Sequence, residues 1–218
     1  MSRLALVLLA VAAAPVAAQD PAADRLRDAP PAVVAALDSL LARAAARGLP
    51  GELLIQKAIE GTAKAAPPDR VIAALGALLG RLSVSAAAVR TGGLRAPDDA
   101  TIEAGAFALS AGLDSGTVSA LAHEAAPARA AAVTLRVSGT LAALGVPATQ
   151  VLELVTQALR SGESAGGLLS LPAQVQAAMA HGATPAAAAA GVARGQFRGR
   201  AGEGPPRGPP PRRGSGRP

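Results

Sequence analysis

Gly162-Glu163-Ser164-Ala165-Gly166 is the stretch whose residue types and spacing come nearest to a nucleophile, because G-x-S-x-G is the strained elbow that presents a serine hydroxyl for acyl transfer. That chemistry needs a strand before the serine, and an acid and then a histidine after it. Here Val151, Leu152, Leu154, Val155, Ala158 and Leu159 precede it at helical spacing, no aspartate follows it, and Glu203 comes after His181 rather than before. The expected reading is a helix that ends at Gly162 and a new one capped by Ser164. His123 and His181 are the chain's two histidines, and there is no cysteine. A zinc site takes three or four closely spaced ligands, and Pro127 stands where an H-E-x-x-H pattern begun at His123 would need its second histidine. His123 is expected on an exposed helix face, and His181 at a helix end, where an imidazolium complements the dipole. No catalytic, cofactor or metal site is expected, and the chain reads as non-enzymatic. The enzyme alternative is a site assembled from scattered polar residues.

The charged residues point to contact rather than chemistry. Lys57, Glu60 and Lys64 share a helix face at i, i+3 and i+7, either as a polar contact surface or as a solvated local ion pair. The formal net charge of +6 is unevenly distributed. From Gly191 onward there are seven arginines (Arg194, Arg198, Arg200, Arg207, Arg212, Arg213 and Arg217) against one acid, Glu203, whereas residues 19–190 hold 13 basic and 14 acidic residues. This Arg/Gly/Pro-rich tail, which includes Pro209-Pro210-Pro211, cannot bury apolar surface and is expected to be disordered. Its arginines are candidate contacts for anionic envelope polymer, lipid headgroups or acidic protein. A nucleic-acid binder using the Arg-Gly steps is the other alternative.

What must position these residues is helical throughout. Met1–Ala18 reads as a signal peptide: Arg3, an apolar run from Leu4 to Ala14, then the small residues Val16-Ala17-Ala18. It predicts a chain exported to the periplasm or beyond and cleaved near Gln19. No later segment is expected to span a membrane, because the apolar run Val71 to Leu79 is short and flanked by Arg70 and Arg81. Residues 19–30 read as a flexible start, 31–190 as one helical domain and 191–218 as the tail. The domain has no Trp or Tyr, and Phe107 is its one aromatic, so thin Ala/Leu/Val helices must pack closely.

Helix ends are punctuated by Gly48-Leu49-Pro50, Gly112-Leu113-Asp114 and Gly145-Val146-Pro147, with looser versions at Ala66-Pro67-Pro68, Arg95-Ala96-Pro97 and Gly182 to Pro185. Helices are expected over 31–46, 51–65, 68–90, 97–110, 115–125, 127–144, 148–161, 165–180 and 185–193, with no strand. Pro50, Pro97 and Pro147 lie 47 and 50 residues apart, and a second start follows each at 17 or 18 residues (Pro68, Asp114, Ser164). The fold class is therefore all-α: an irregular helical bundle, or a short solenoid of two-helix units, with a disordered C-terminal tail. Gly76 and Gly80 form a G-x-x-x-G, expected to mark close packing of the 68–90 helix at the centre of the fold.

Gly48-Leu49-Pro50, Lys57-Ala58-Ile59-Glu60-Gly61, Lys64 and Pro67-Pro68-Asp69-Arg70-Val71 resemble a block of uncharacterised exported Ala/Leu-rich bacterial proteins, and Gly145-Val146-Pro147 resembles a later block of that group. The resemblance covers Gly48 to Pro185 loosely and Gly48 to Leu82 best. It implies an all-helical exported protein and carries no activity or functional residue with it.

Overall fold

The computed structural model describes residues 26–126 and 130–201, with only the backbone for 196–201. The stretch 1–18 expected to be a signal peptide, the segment 19–25 and the tail residues Arg207, Arg212, Arg213 and Arg217 lie outside the described residues. Among those described, the chain forms nine helices and no strand: α1 (Pro31–Ala45), α2 (Glu52–Ala63), α3 (Pro68–Thr91), α4 (Asp99–Ser110), α5 (Ser115–Ala125), α6 (Ala131–Ala143), α7 (Ala148–Arg160), α8 (Ala165–Ala180) and α9 (Pro185–Ala201). The expected helices all form, with ends displaced by a few residues at most until the last. α9 continues to Ala201, beyond the Gly191 at which the tail was expected to begin. Gly191 and Gly195 are tolerated inside it at a cost of about 1 kcal/mol each relative to alanine. The run of alanines before them supplies a strong helical start.

One local device ends most of the helices. Gly48, Gly93, Gly112, Gly145, Gly162 and Gly182 take φ between +63° and +103°. The N–H of the next residue then donates to the carbonyl five residues back, as in Leu49 to Ala44, Leu113 to Ala108 and Glu163 to Ala158. Leu49, Leu113 and Val146, each one residue past its glycine, are buried, so the turn also anchors an apolar contact. Ala65 makes the same turn at φ +49°, where its Cβ is strained. The next helix starts promptly: Asp98, Asp114 and Ser164 accept hydrogen bonds from the N–H groups of Thr101, Thr117 and Gly167. Thus the G-x-S-x-G is a helix end followed by a helix cap, with no strand before the serine.

Close packing follows the order of the chain: each helix packs on its first or second neighbour. The odd-numbered helices α1, α3, α5, α7 and α9 form one row, and α4, α6 and α8 form a second row against it. α2 packs on α1 and α3 but is not closely packed on α4. Two apolar clusters fill the array. The first is leucine-rich, built from Leu37, Leu40, Leu54, Leu75, Leu79 and Leu82 with Ile102. The second uses more alanine and valine, including Val118, Leu121, Leu135, Val151, Val155 and Ala158. A fully buried leucine contributes about 1.5–3 kcal/mol. α3 and α4 each supply residues to both clusters, which makes this pair the seam of the fold. α6 stands between the second and third of the proline-marked helix pairs, so the middle segment holds three helices rather than two.

Two expectations about α3 are corrected. Its helix runs unbroken past Arg81 to Thr91, and by length and composition it is long and apolar enough to cross a membrane. Its inward residues are those of the shared core. The glycines are not the packing face: a Cβ at Gly76 or Gly80 would meet nothing within 4 Å, and both positions are exposed. The close approaches lie elsewhere. A Cβ at Gly92 would stand 2.5 Å from the Ser119 carbonyl oxygen, and one at Gly139 would stand 2.6 Å from the Phe107 ring. One at Gly105 would overlap the Ser85 hydroxyl, which donates to the Ile102 carbonyl at 2.7 Å.

Candidate functional site

The polar side chains that face one another collect along a furrow between α2 and α3 that continues onto α4 and α6. On α3, Arg70, Ala74, Leu78 and Arg81 follow one another at steps of four, four and three, so they share a face. On α2, Leu53, Lys57, Gly61 and Lys64 do the same. The furrow has two hollows. One, of about 200 Å³, lies between the C-terminal half of α2 and the start of α3, with Lys57, Glu60, Lys64 and Arg70 at its rim over Gly61 and Val71. Gly61 is required there, since a Cβ would come within 2.7 Å of Val71. Lys57 and Lys64 both donate to the Glu60 carboxylate, Lys57 at 2.8 Å. Those hydrogen bonds and the two positive charges hold the Glu60 carboxyl at about 2. The expected i, i+3 and i+4 ion pairs are present and solvent-exposed. They also sit on a hollow, which spacing along one helix does not convey. Lys57 and Lys64 are the only lysines of a chain whose other cations are all arginine.

The second hollow, of about 220 Å³, opens where α2 and α4 are not closely packed. Leu78 and Arg81 of α3 line it with Leu53 of α2, Glu103 and Phe107 of α4, and Arg136 of α6. The Arg136 guanidinium lies 5.2 Å from the centre of the Phe107 ring, a cation–π contact. Glu103 is half-buried and makes no hydrogen bond or ion pair among the described residues. Burial pushes its carboxyl up, Asp99 and Glu52 add to this, and Arg136 opposes it.

Arg81, Glu103, Phe107 and Arg136 were not singled out by sequence reasoning. They come from three helices, and no spacing along the chain joins them. The usable signal was Phe107 as the domain's one aromatic. Of the sequence-predicted contacts, Arg194 has a described side chain, and it lines neither hollow. Arg194 is exposed on α9, Arg198 and Arg200 follow on the backbone of the same helix, and the remaining four are outside the described residues. His123 is exposed on α5, and His181 caps the C-terminus of α8. Glu124, beside His123, is taken up by Arg160 of α7 through two hydrogen bonds of 2.6 and 3.2 Å, which lower its carboxyl. No group of three or more metal-ligating side chains gathers among the described residues. Ser164 is committed to capping α8.

No family model matches the chain, and it has no match among the curated proteins or the solved structures.

Proposed function

We propose that this is an exported, non-enzymatic binding or structural protein of the cell envelope, working in the periplasm or outside the cell. The helical array offers a contact surface, and the basic tail engages anionic envelope material. The observation that carries this reading is the separation of charge. Seven arginines against one acid follow Gly191, while residues 19–190 are nearly balanced. A segment of that kind attracts polyanions through screened, additive contacts and needs no shaped pocket. The furrow supports the same reading, because its two hollows are lined by five cations (Lys57, Lys64, Arg70, Arg81 and Arg136) and two acids.

The test compares the mature chain with a variant in which Arg207, Arg212, Arg213 and Arg217 are all replaced by glutamine. α9 is left intact because Ala188 and Ala189 are part of the core. On immobilised heparin, and on vesicles with anionic headgroups, the parent chain is expected to elute at clearly higher salt. Equal elution of the two proteins overturns the tail's role. The mass of the protein recovered from its native host tests export, with loss of residues 1–18 expected.

A further inference from the structure

We propose that the opening between α2 and α4 binds a small monocarboxylate that also carries an apolar group and a hydrogen-bond donor, the chemistry of a short peptide's C-terminus. The inference deepens the reading of the furrow as a binding surface, and it is independent of the tail.

Three features select that class. The first is a pair of guanidinium groups, Arg81 from α3 and Arg136 from α6, on one hollow. Arg81 has no hydrogen-bond or ion-pair partner among the described residues, and Arg136 is held by its stack on Phe107. Two planar donor forks are suited to one carboxylate, and the stack removes part of the ordering cost of holding Arg136. The second is the apolar wall of Leu53, Leu78 and Phe107, which gives an aliphatic side chain somewhere to leave water. The third is Glu103, a half-buried carboxyl with its acceptor oxygens unused among the described residues. A backbone N–H of the ligand would satisfy it.

Charge narrows the class further. The charged side chains that line the hollow, Arg81, Arg136 and Glu103, sum to +1, and Asp99 and Glu52 nearby lower the field further, so a monoanion is favoured over a dianion. A phosphate dianion would overfill that charge and meet the Glu103 carboxylate. Size points the same way: about 220 Å³ is below the usual range of roughly 300–1,000 Å³ for drug-sized ligands.

The experiment titrates the full chain with N-acetyl-leucine, followed by the amide chemical shifts of α3 and α4. Saturable binding is expected, weakened about tenfold or more for N-acetyl-leucinamide and for the Arg81→Gln variant, since each removes a charge-assisted pair. Arg136→Gln should weaken it as well. Arg43→Gln, exposed on α1 and outside both hollows, should leave affinity unchanged and serves as the folding-neutral control. The proposal is overturned if acid and amide bind alike, if Arg81→Gln binds like the parent, or if inorganic phosphate competes as well as the acid does. It is also overturned if no saturation is reached by about 10 mM, where binding energy falls below that of a weak specific site. Loss of heparin retention with intact N-acetyl-leucine binding would separate the tail from the hollow, and the converse would do the same.

Discussion

Gly76 and Gly80 on the outer side of α3 differ from Gly92, Gly105 and Gly139 at the helix crossings in what surrounds them, not in residue type. The outer pair shows the spacing that usually marks helix contact and faces open space. The inner three share no motif, yet each sits where a neighbouring helix leaves no room for a methyl group. What distinguishes them is the partner across the crossing. Gly139 faces Phe107, the bulkiest side chain of the domain, and Gly92 faces the backbone of α5. A small residue is therefore evidence of close packing only once the opposing element is known.

Substitutions break this comparison in order of size. Gly92→Ala should cost most, about 1–3 kcal/mol, because the obstructing atoms are backbone. For a chain of this length that is a fall in melting temperature of roughly 2–4 °C per kcal/mol, read by circular dichroism. An unchanged melt would mean that α5 does not approach α3 at that point. Gly139→Ala should cost somewhat less, about 1–2 kcal/mol, because a ring can tilt. Phe107→Leu in the same chain should recover part of the loss, as a double-mutant cycle would measure. Gly76→Ala and Gly80→Ala should run the other way, each gaining about 0.5–1 kcal/mol from helix propensity with nothing to collide with. Ala65→Gly should yield the smallest gain, below about 1 kcal/mol, as relief of the left-handed strain is offset by the freer unfolded glycine. If Gly80→Ala destabilised the protein, the outer face of α3 would have to be a packed one.

The fold was legible because its punctuation is local. Gly48, Gly112, Gly145 and Gly162 mark helix ends through a backbone angle, and Asp114 and Ser164 mark starts through one side-chain bond, so neither needs tertiary knowledge. The end of α9 was misplaced because Arg and Gly dominate its composition there, and composition weighs against a helix that packing of Ala188 and Ala189 has already set in register. The Lys57, Glu60 and Lys64 group was visible as a helix face but not as the rim of a hollow, since its floor is Val71 on the next helix. Arg81, Glu103, Phe107 and Arg136 were invisible as a set. Their proximity depends on where the second row fails to close, and that register is fixed by side-chain volumes distributed over four helices.

Because each described helix packs closely on its first and second neighbours, the contacts are short-range along the sequence, which favours rapid folding. It also means that stability is handed along the row rather than held in one place. Among the described residues α1 and α9 have close neighbours on one side of the array, so amide protons should exchange soonest there and slowest on α3, α4 and α6. A ligand seated between α2 and α4 would bridge the one gap in the second row. Its effect would be read as slower exchange in α2, the helix whose close packing is on α1 and α3.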